Sequence, residues 1–233
     1  ELRSMIMTLV FEQLLVRRVG IVDTVVVSSC GEAAVSGVSL VNQFNTIFIY
    51  LFTALASGGA IVVSQYIGNK DEKRTILSSS QLLMFSIVFS IILSILVLIF
   101  NKQLLGLLFG KVESDVMKAC VTYLRISAYS YPALAIYNAG AALYRSMAKT
   151  KVTMYISFAA NIINVVGNII GVYVLKAGVA GVAYPSLISR VFSAIIITVL
   201  CFNKKLEAYY DLKDIFRFDG KMLKRILNIA IPN

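Results

Sequence analysis

Polar side chains that suit a small cation stand inside apolar stretches of this sequence. Three asparagines occupy positions i, i+3 and i+7, so Asn161, Asn164 and Asn168 share one face of a helix. An aspartate, Asp23, and a serine, Ser186, lie in two other apolar stretches. Amide, carboxylate and hydroxyl oxygens are ligands that hard cations prefer. The amides equally suit hydrogen bonds between helices, so both roles are open for the asparagines.

The composition places these residues in a membrane protein. Of the 233 residues, 58% are hydrophobic and 15% are charged, and the mean hydropathy is +0.82. A soluble domain has about 25% charged residues, so this chain has too few to cover a surface in water. Each apolar run is as long as a helix and shows no strand-like alternation. We therefore predict an all-α integral membrane protein.

Apolar runs predict six transmembrane helices, because a span needs about 20 mainly apolar residues. Four runs hold no charged residue: 33–69, 75–101, 126–144 and 152–175. Two more carry charges: 177–203, interrupted only by Arg190, and 4–29. The sequence thus divides into a six-helix region at 1–203, a cytoplasmic linker at 204–221, and the start of a seventh helix at 222–233 whose remainder is missing.

Basic residues predict the orientation of these helices, since positively charged short loops stay in the cytoplasm. Thirteen Lys and Arg residues fall in the loops after helices 2, 4 and 6, against four on the opposite side. Both termini of this chain are therefore predicted to face the cytoplasm, in the plasma (inner) membrane. The net charge of +10 then reflects topology and contact with the lipid bilayer, and we expect no nucleic-acid partner.

The candidate cation ligands are predicted to lie at one depth. Counted from the outer ends of their helices, Asp23 and Asn168 lie eight residues deep, Ser186 ten and Asn164 twelve. At about 1.5 Å per residue, this is roughly 12–18 Å below the outer boundary. A carboxylate inside a membrane is costly unless it is used, paired or protonated, so we assign Asp23 a functional role.

Catalytic chemistry has little support in this sequence. It contains no histidine, and its three cysteines, Cys30, Cys120 and Cys201, are far apart. This pattern argues against zinc sites and against most Cys/His or Ser/His catalytic arrangements. We expect no enzyme, no bound metal and no cofactor.

Short motifs of small and polar residues, each different, follow one another along the whole chain. They begin with Phe11-Glu12-Gln13-Leu14-Leu15 and continue at 22–24, 31–39, 56–60, 64–71, 137–147 and 178–183. Small residues abound in membrane helices, so it is the order and spacing of the motifs that carry information. Together they resemble the multidrug and toxic compound extrusion (MATE) family of cation-coupled antiporters.

The resemblance implies a transporter of twelve helices in two lobes, with this chain as the amino-terminal lobe and the carboxy-terminal lobe as its missing partner. It implies export of drugs or other small organic compounds, often cationic, in exchange for Na⁺ or H⁺. Asp23 would couple the cation, with Asn164, Asn168 and Ser186 as its neighbours. Some members have Asp at the position of Asn168, which leaves the choice between Na⁺ and H⁺ open.

Other polar residues of the first helix suggest further contacts. Glu12 lies close to three turns before Asp23, so Glu12 and its neighbour Gln13 are candidates to contact substrate or a second cation. Arg17 and Arg18 would suit a flippase for a lipid-linked precursor, whose pyrophosphate they could bind. A membrane-embedded enzyme is the weaker alternative, because no nucleophile, base or metal ligands cluster.

Cysteines introduced at positions 72 and 113 test the predicted orientation. In whole cells, and in a background whose three native cysteines are replaced with alanine, we expect Glu72→Cys to stay unlabelled by a membrane-impermeant maleimide, because the loop after helix 2 is predicted to be cytoplasmic. We expect Glu113→Cys to be labelled. The reverse pattern would show that the helices insert in the opposite orientation.

Overall fold

The computed structural model describes residues 2–231, with residues 12, 13 and 15–24 described by their backbone alone. Within that range the fold is helical, without a strand. The six long helices are α1 (Leu2–Ser28), α2 (Glu32–Gly68), α3 (Glu72–Phe109), α4 (Ser114–Ser146), α5 (Thr150–Ile169) and α6 (Ala180–Cys201). A π-helical turn, Ile170–Val174, extends α5, and two short helices follow, α7 (Leu212–Ile215) and α8 (Gly220–Ala230). The prediction of an all-α membrane protein is confirmed, and each of the six predicted transmembrane spans corresponds to one of these long helices.

Four of the described helices are long and apolar enough to cross a membrane: α2, α3, α5 with its π-helical turn, and α6. The helices α3 and α4 run beyond the predicted spans 75–101 and 126–144, to Phe109 and from Ser114 respectively. A charge-free run marks the hydrocarbon thickness, whereas a helix continues into the interface as long as its backbone bonds are made. The backbone of α3 breaks at Phe100, where φ is −105° and ψ is 20°.

The central helix of the bundle is α4, which packs against α2, α3 and α6, while α1 packs mainly against α5. Apolar side chains form two clusters. One contains the first half of α2 and of α4, with Phe48, Phe52 and Leu124. The other contains their second halves, with Leu143, and the end of α6, with Ile197. The middle of the bundle, where these clusters meet, is the depth at which the polar residues lie.

Helices α2 and α4 end with the same capping arrangement. Lys70 and Ala148 take the left-handed conformation, with φ of 56° and 59°. The N–H of the next residue, Asp71 or Lys149, donates to the carbonyl five residues back, at 3.0 Å and 2.8 Å. This is the Schellman motif, which satisfies carbonyls that a helix end leaves open. The resulting short turns keep α3 and α5 antiparallel to the helices before them.

Small residues bring α5 and α6 into backbone contact. A Cβ added to Gly171 would lie 2.8 Å from the Cα of Gly181, and one added to Gly167 would lie 2.7 Å from the Cβ of Pro185. Neither approach leaves room for a side chain at the glycine. Because the two helices are this close, Asn164 on α5 and Ser186 on α6 lie opposite each other.

The segment after α6 is fixed to α3 by one side chain. Gln81 is completely buried. Its amide nitrogen donates to the backbone carbonyls of Asp214, at 2.7 Å, and Arg217, and its amide oxygen accepts from the N–H of Asp219 at 3.0 Å. These three bonds hold α7 and the start of α8 against the bundle.

Replacing Gly171 with alanine tests the contact between α5 and α6. We expect Gly171→Ala to lower the melting temperature of the purified protein, because the added methyl group meets backbone atoms that cannot move aside; overpacking of this kind costs about 1–3 kcal/mol. Gly106→Ala is the matched control, since no atom lies within 4 Å of the added Cβ and the site is inside α3. That variant should be neutral or slightly stabilising. Equal melting temperatures for the two variants would contradict the close contact.

Candidate cation and substrate site

A cavity of about 450 Å³ lies between α2, α4, α5 and α6 at the middle of the bundle. Its wall combines apolar side chains with hydroxyl, amide and guanidinium groups. The polar lining residues are Asn42, Asn45, Thr46, Tyr123, Tyr137, Ser157, Asn161, Asn164, Ser186, Ser189, Arg190 and Ser193. A cavity of this size and mixed character is typical of a site for a small organic molecule.

Two of the predicted cation ligands meet at this wall. The Ser186 hydroxyl donates to the amide oxygen of Asn164 at 3.3 Å, and it also lies 3.3 Å from the carbonyl of Val182 one turn earlier in α6. Asn164 is buried, with 3% of its surface exposed. The structure therefore brings one predicted ligand of α5 and one of α6 into contact. Their role in cation binding stays a prediction.

Asn168 lies one turn beyond Asn164 on the same face of α5 and is completely buried. Asn161, one turn before Asn164, lines the cavity. The three asparagines thus form a row that runs from the open cavity into the protein interior. A polar row of this kind is expensive in a membrane unless hydrogen bonds or an ion satisfy it.

The polar side chains predicted on the first helix lie outside the described residues: Glu12, Gln13, Arg17, Arg18 and Asp23. Their backbone belongs to α1, and α1 packs against α5, the helix that carries the asparagine row. The helix of Asp23 and the helix of Asn164 and Asn168 are therefore neighbours.

Amide and phenol groups join α2 to α4 beside the cavity, a feature that the sequence did not single out. The hydroxyl of Tyr131 donates to the amide oxygen of Asn45 at 2.5 Å, and that of Tyr123 donates to the amide oxygen of Asn42 at 3.1 Å. The available signal was the spacing of Asn42, Asn45 and Thr46 at i, i+3 and i+4, which places three polar side chains on one face of an apolar helix.

The charged residue of the wall is Arg190. Its Nη1 donates to the hydroxyl of Ser130 on α4 at 2.7 Å. Among the cavity-lining side chains that the structure describes, Arg190 alone carries a formal charge. Its signal in the sequence was its position as the single charged residue of the run 177–203. A lone charge at such a depth marks a functional site by default.

Sequence relatives of the chain include a transporter and a probable multidrug resistance protein. Residues 8–170 match the MatE family model. The uncharacterized transporter YisQ of Bacillus subtilis is 26% identical over 218 residues, which make up 92% of this chain and 47% of that protein. The probable multidrug resistance protein YoeA of the same species is 25% identical over 209 residues, or 85% of this chain and 44% of that protein. The chain spans about half the length of these curated relatives.

Solved structures share the fold. An outward-facing multidrug resistance MATE family transporter of the MOP superfamily superposes with a TM-score of 0.88 at 21% identity, over 96% of this chain and 49% of that chain. An inward-facing conformation of a multidrug resistance MATE family transporter gives 0.84 at 22% identity, over 91% of this chain and 48% of that chain. A MOP superfamily transporter from Pyrococcus furiosus, described as having a binding pocket of reverse polarity, gives 0.89 at 21% identity, over 96% of this chain and 49% of that chain.

The fold and the sequence lead to the same family. The six-helix bundle corresponds to about half of each transporter structure it resembles. The family model covers more than half of the chain, from the first helix to the end of α5. The chain belongs to the MatE family of membrane transporters.

Proposed function

We propose that this chain forms the cation-coupling lobe of an antiporter that exports small organic compounds in exchange for Na⁺ or H⁺. The observation that carries the proposal is the contact between Asn164 and Ser186 at the wall of the central cavity, with Asn168 buried one turn away. These residues supply hard oxygen ligands beside the helix that carries Asp23.

Coupling would operate through the charge on Asp23. In a medium of low dielectric constant the ionised carboxylate is disfavoured unless a proton or Na⁺ neutralises it. Binding and release of the ion would change the free energy of packing α1 against α5. The ion-bound and ion-free states would therefore favour different arrangements of the bundle. The amide and hydroxyl oxygens of Asn164, Asn168 and Ser186 would complete the coordination of Na⁺, or hydrogen-bond the protonated acid.

The organic compound would occupy the cavity of about 450 Å³, next to the ion site. The curated relatives of this chain are about twice as long as the chain itself, and YoeA is described as a probable multidrug resistance protein. We infer that a second lobe closes the cavity from the other side. The protein would be a multi-pass protein of the plasma membrane, with both ends of this chain in the cytoplasm, as the basic loops predict.

Replacing Asp23 with asparagine tests the coupling role, because the substitution keeps the shape and removes the titratable charge. We expect Asp23→Asn, in the protein expressed from its complete gene, to insert normally and to lose gradient-driven transport by at least about tenfold, within the usual range of coupling between two sites. Proteoliposomes with Na⁺ and pH gradients imposed separately, loaded with rhodamine B, its ethyl ester or ethidium, provide the measurement.

Glu32→Gln is the matched control for this variant, since Glu32 is an exposed acid at the start of α2. It should transport at the wild-type rate. Transport by Asp23→Asn at the wild-type rate, with the same dependence on both ions, would assign coupling to another part of the protein. The absence of gradient-driven transport of all three dyes by the wild-type protein would contradict the proposed function itself.

A second substitution tests the ion shell. We expect Ser186→Ala to raise the ion concentration needed for half-maximal transport about fivefold or more, because it removes one oxygen from the shell and a hydrogen bond to Asn164. Ser90→Ala is the control, since the buried Ser90 hydroxyl of α3 bonds to the carbonyl of Ile87 away from the cavity. An unchanged ion dependence in Ser186→Ala would remove Ser186 from the shell.

A further inference from the structure

Arg190 lies at the centre of a transmembrane helix. It is ten residues after Ala180 and eleven before Cys201, the two ends of α6, so it lies about 15 Å from either end. An arginine at the middle of a span costs about 2.5–3.5 kcal/mol on insertion scales. Such a residue persists when it faces a partner of opposite charge or a cavity that a ligand or water fills.

The structure holds the Arg190 side chain at the cavity wall. Its Nη1 donates to the Ser130 hydroxyl at 2.7 Å, and that hydroxyl in turn donates to the carbonyl of Ser127 at 2.6 Å. Ser130 is buried, with 1% of its surface exposed. A guanidinium group has five N–H donors in a fixed plane. The bond to Ser130 orients that plane and leaves further donors for a ligand.

The chain offers this guanidinium few carboxylates. The sequence has no Asp or Glu in 33–70, 75–112 or 116–206, which cover most of α2 to α6. Among the side chains that the structure describes, the ion pair present joins Arg74 to Asp71, outside the bundle core. The acids within the spans are Glu12 and Asp23 of α1, and α1 packs mainly against α5.

The neutral groups near Arg190 favour hydrogen-bond donation to a ligand. The amide oxygens of Asn42 and Asn45 accept hydrogen bonds from Tyr123 and Tyr131. The amide nitrogen of each asparagine is therefore the group that can donate a hydrogen bond to a ligand. The wall therefore combines one positive charge with amide donors in a site of low dielectric constant. A carboxylate fits this arrangement, because it accepts two parallel bonds from a guanidinium.

We propose that Arg190 binds an acidic group, a carboxylate in the simplest case, on the organic compound that occupies the central cavity. The cargo is thus an organic acid or a zwitterion, and a compound bearing only positive charge is a poorer ligand. This inference rests on the proposed function, since it names the substrate class of the same cavity.

Binding of a matched pair of dyes tests the proposal without any ion gradient. Rhodamine B carries a free carboxylate, and its ethyl ester is the same dye with that group blocked. The protein expressed from its complete gene is placed in nanodiscs, and binding is followed by fluorescence polarisation. We expect the wild-type protein to bind rhodamine B about tenfold more tightly than the ester, as expected for a charge-assisted hydrogen bond.

Substitution of Arg190 should remove this preference. Arg190→Gln is expected to weaken rhodamine B binding about tenfold and to leave the ester within about twofold of wild type, while Arg190→Lys keeps part of the preference. Ser130→Ala, which releases the guanidinium, should give a smaller loss for rhodamine B alone. Arg125→Gln is the control, because Arg125 is an exposed arginine of α4 that does not line the cavity.

Four results would overturn the proposal. They are an absence of rhodamine B binding to wild type, an equal affinity of wild type for both dyes, an equal loss of both in Arg190→Gln, and recovery of that loss when Glu12 or Asp23 is also neutralised. The last would show that the guanidinium pairs with an acid of α1. If Arg190→Gln does not fold, Arg190→Lys and Ser130→Ala decide the question. Failure of gradient-driven transport with intact dye discrimination would count against the antiport function alone.

Discussion

Satisfying polar groups in an apolar solvent is the constraint on which the rest of this structure depends. Lipid offers no hydrogen bonds, so each polar side chain within the spans needs a partner inside the bundle. The central helix α4 meets this need on two sides: Tyr131 bonds to Asn45 of α2, and Ser130 bonds to Arg190 of α6. These bonds fix the rotation of α2 and α6 about their axes. A polar cavity at mid-depth is the consequence, since the partners in α2 and α6, Asn45 and Arg190, both line it.

Close helix contacts complete the site from the other side. The glycines of α5 and of its π-helical turn let α6 approach to backbone contact at Gly171 and Gly181. That approach brings the short side chain of Ser186 within reach of Asn164. A π-helical turn shifts the phase of the helix after it and is frequent at functional sites. Here it begins two residues after Asn168, so the buried asparagine lies where regular α-helix ends.

Much of the fold could be predicted from the sequence because the bilayer sets one length scale for every span. The helix count follows from the apolar runs. Counting residues along α5 and α6 places Asn164 and Ser186 at a similar depth, which is where they meet. Helix rotation is not encoded in that way. Asn45 and Arg190 were therefore not placed at the cavity by sequence reasoning, since the faces that α2 and α6 turn inward depend on partners in α4. The anchoring of the segment after α6 by Gln81 is a contact across more than a hundred residues, and no local pattern signals it.

The proposed antiport would place a further condition on a cargo that binds Arg190. A cation at the site of Asp23 and a carboxylate at Arg190 attract each other in a medium of low dielectric constant, which favours binding of both together. Exchange requires the opposite, namely that one ligand weakens the other. A zwitterion would bind Arg190 and still meet the requirement for exchange. Its acidic group would bind Arg190, while its positive end would compete with the coupling ion for the oxygens around Asn164 and Ser186. Ser186 and Arg190 are four residues apart, so they lie on the same face of α6 about 6 Å apart along its axis. This separation is short enough for one small molecule to contact both, and it makes α6 the element through which cargo and ion would compete.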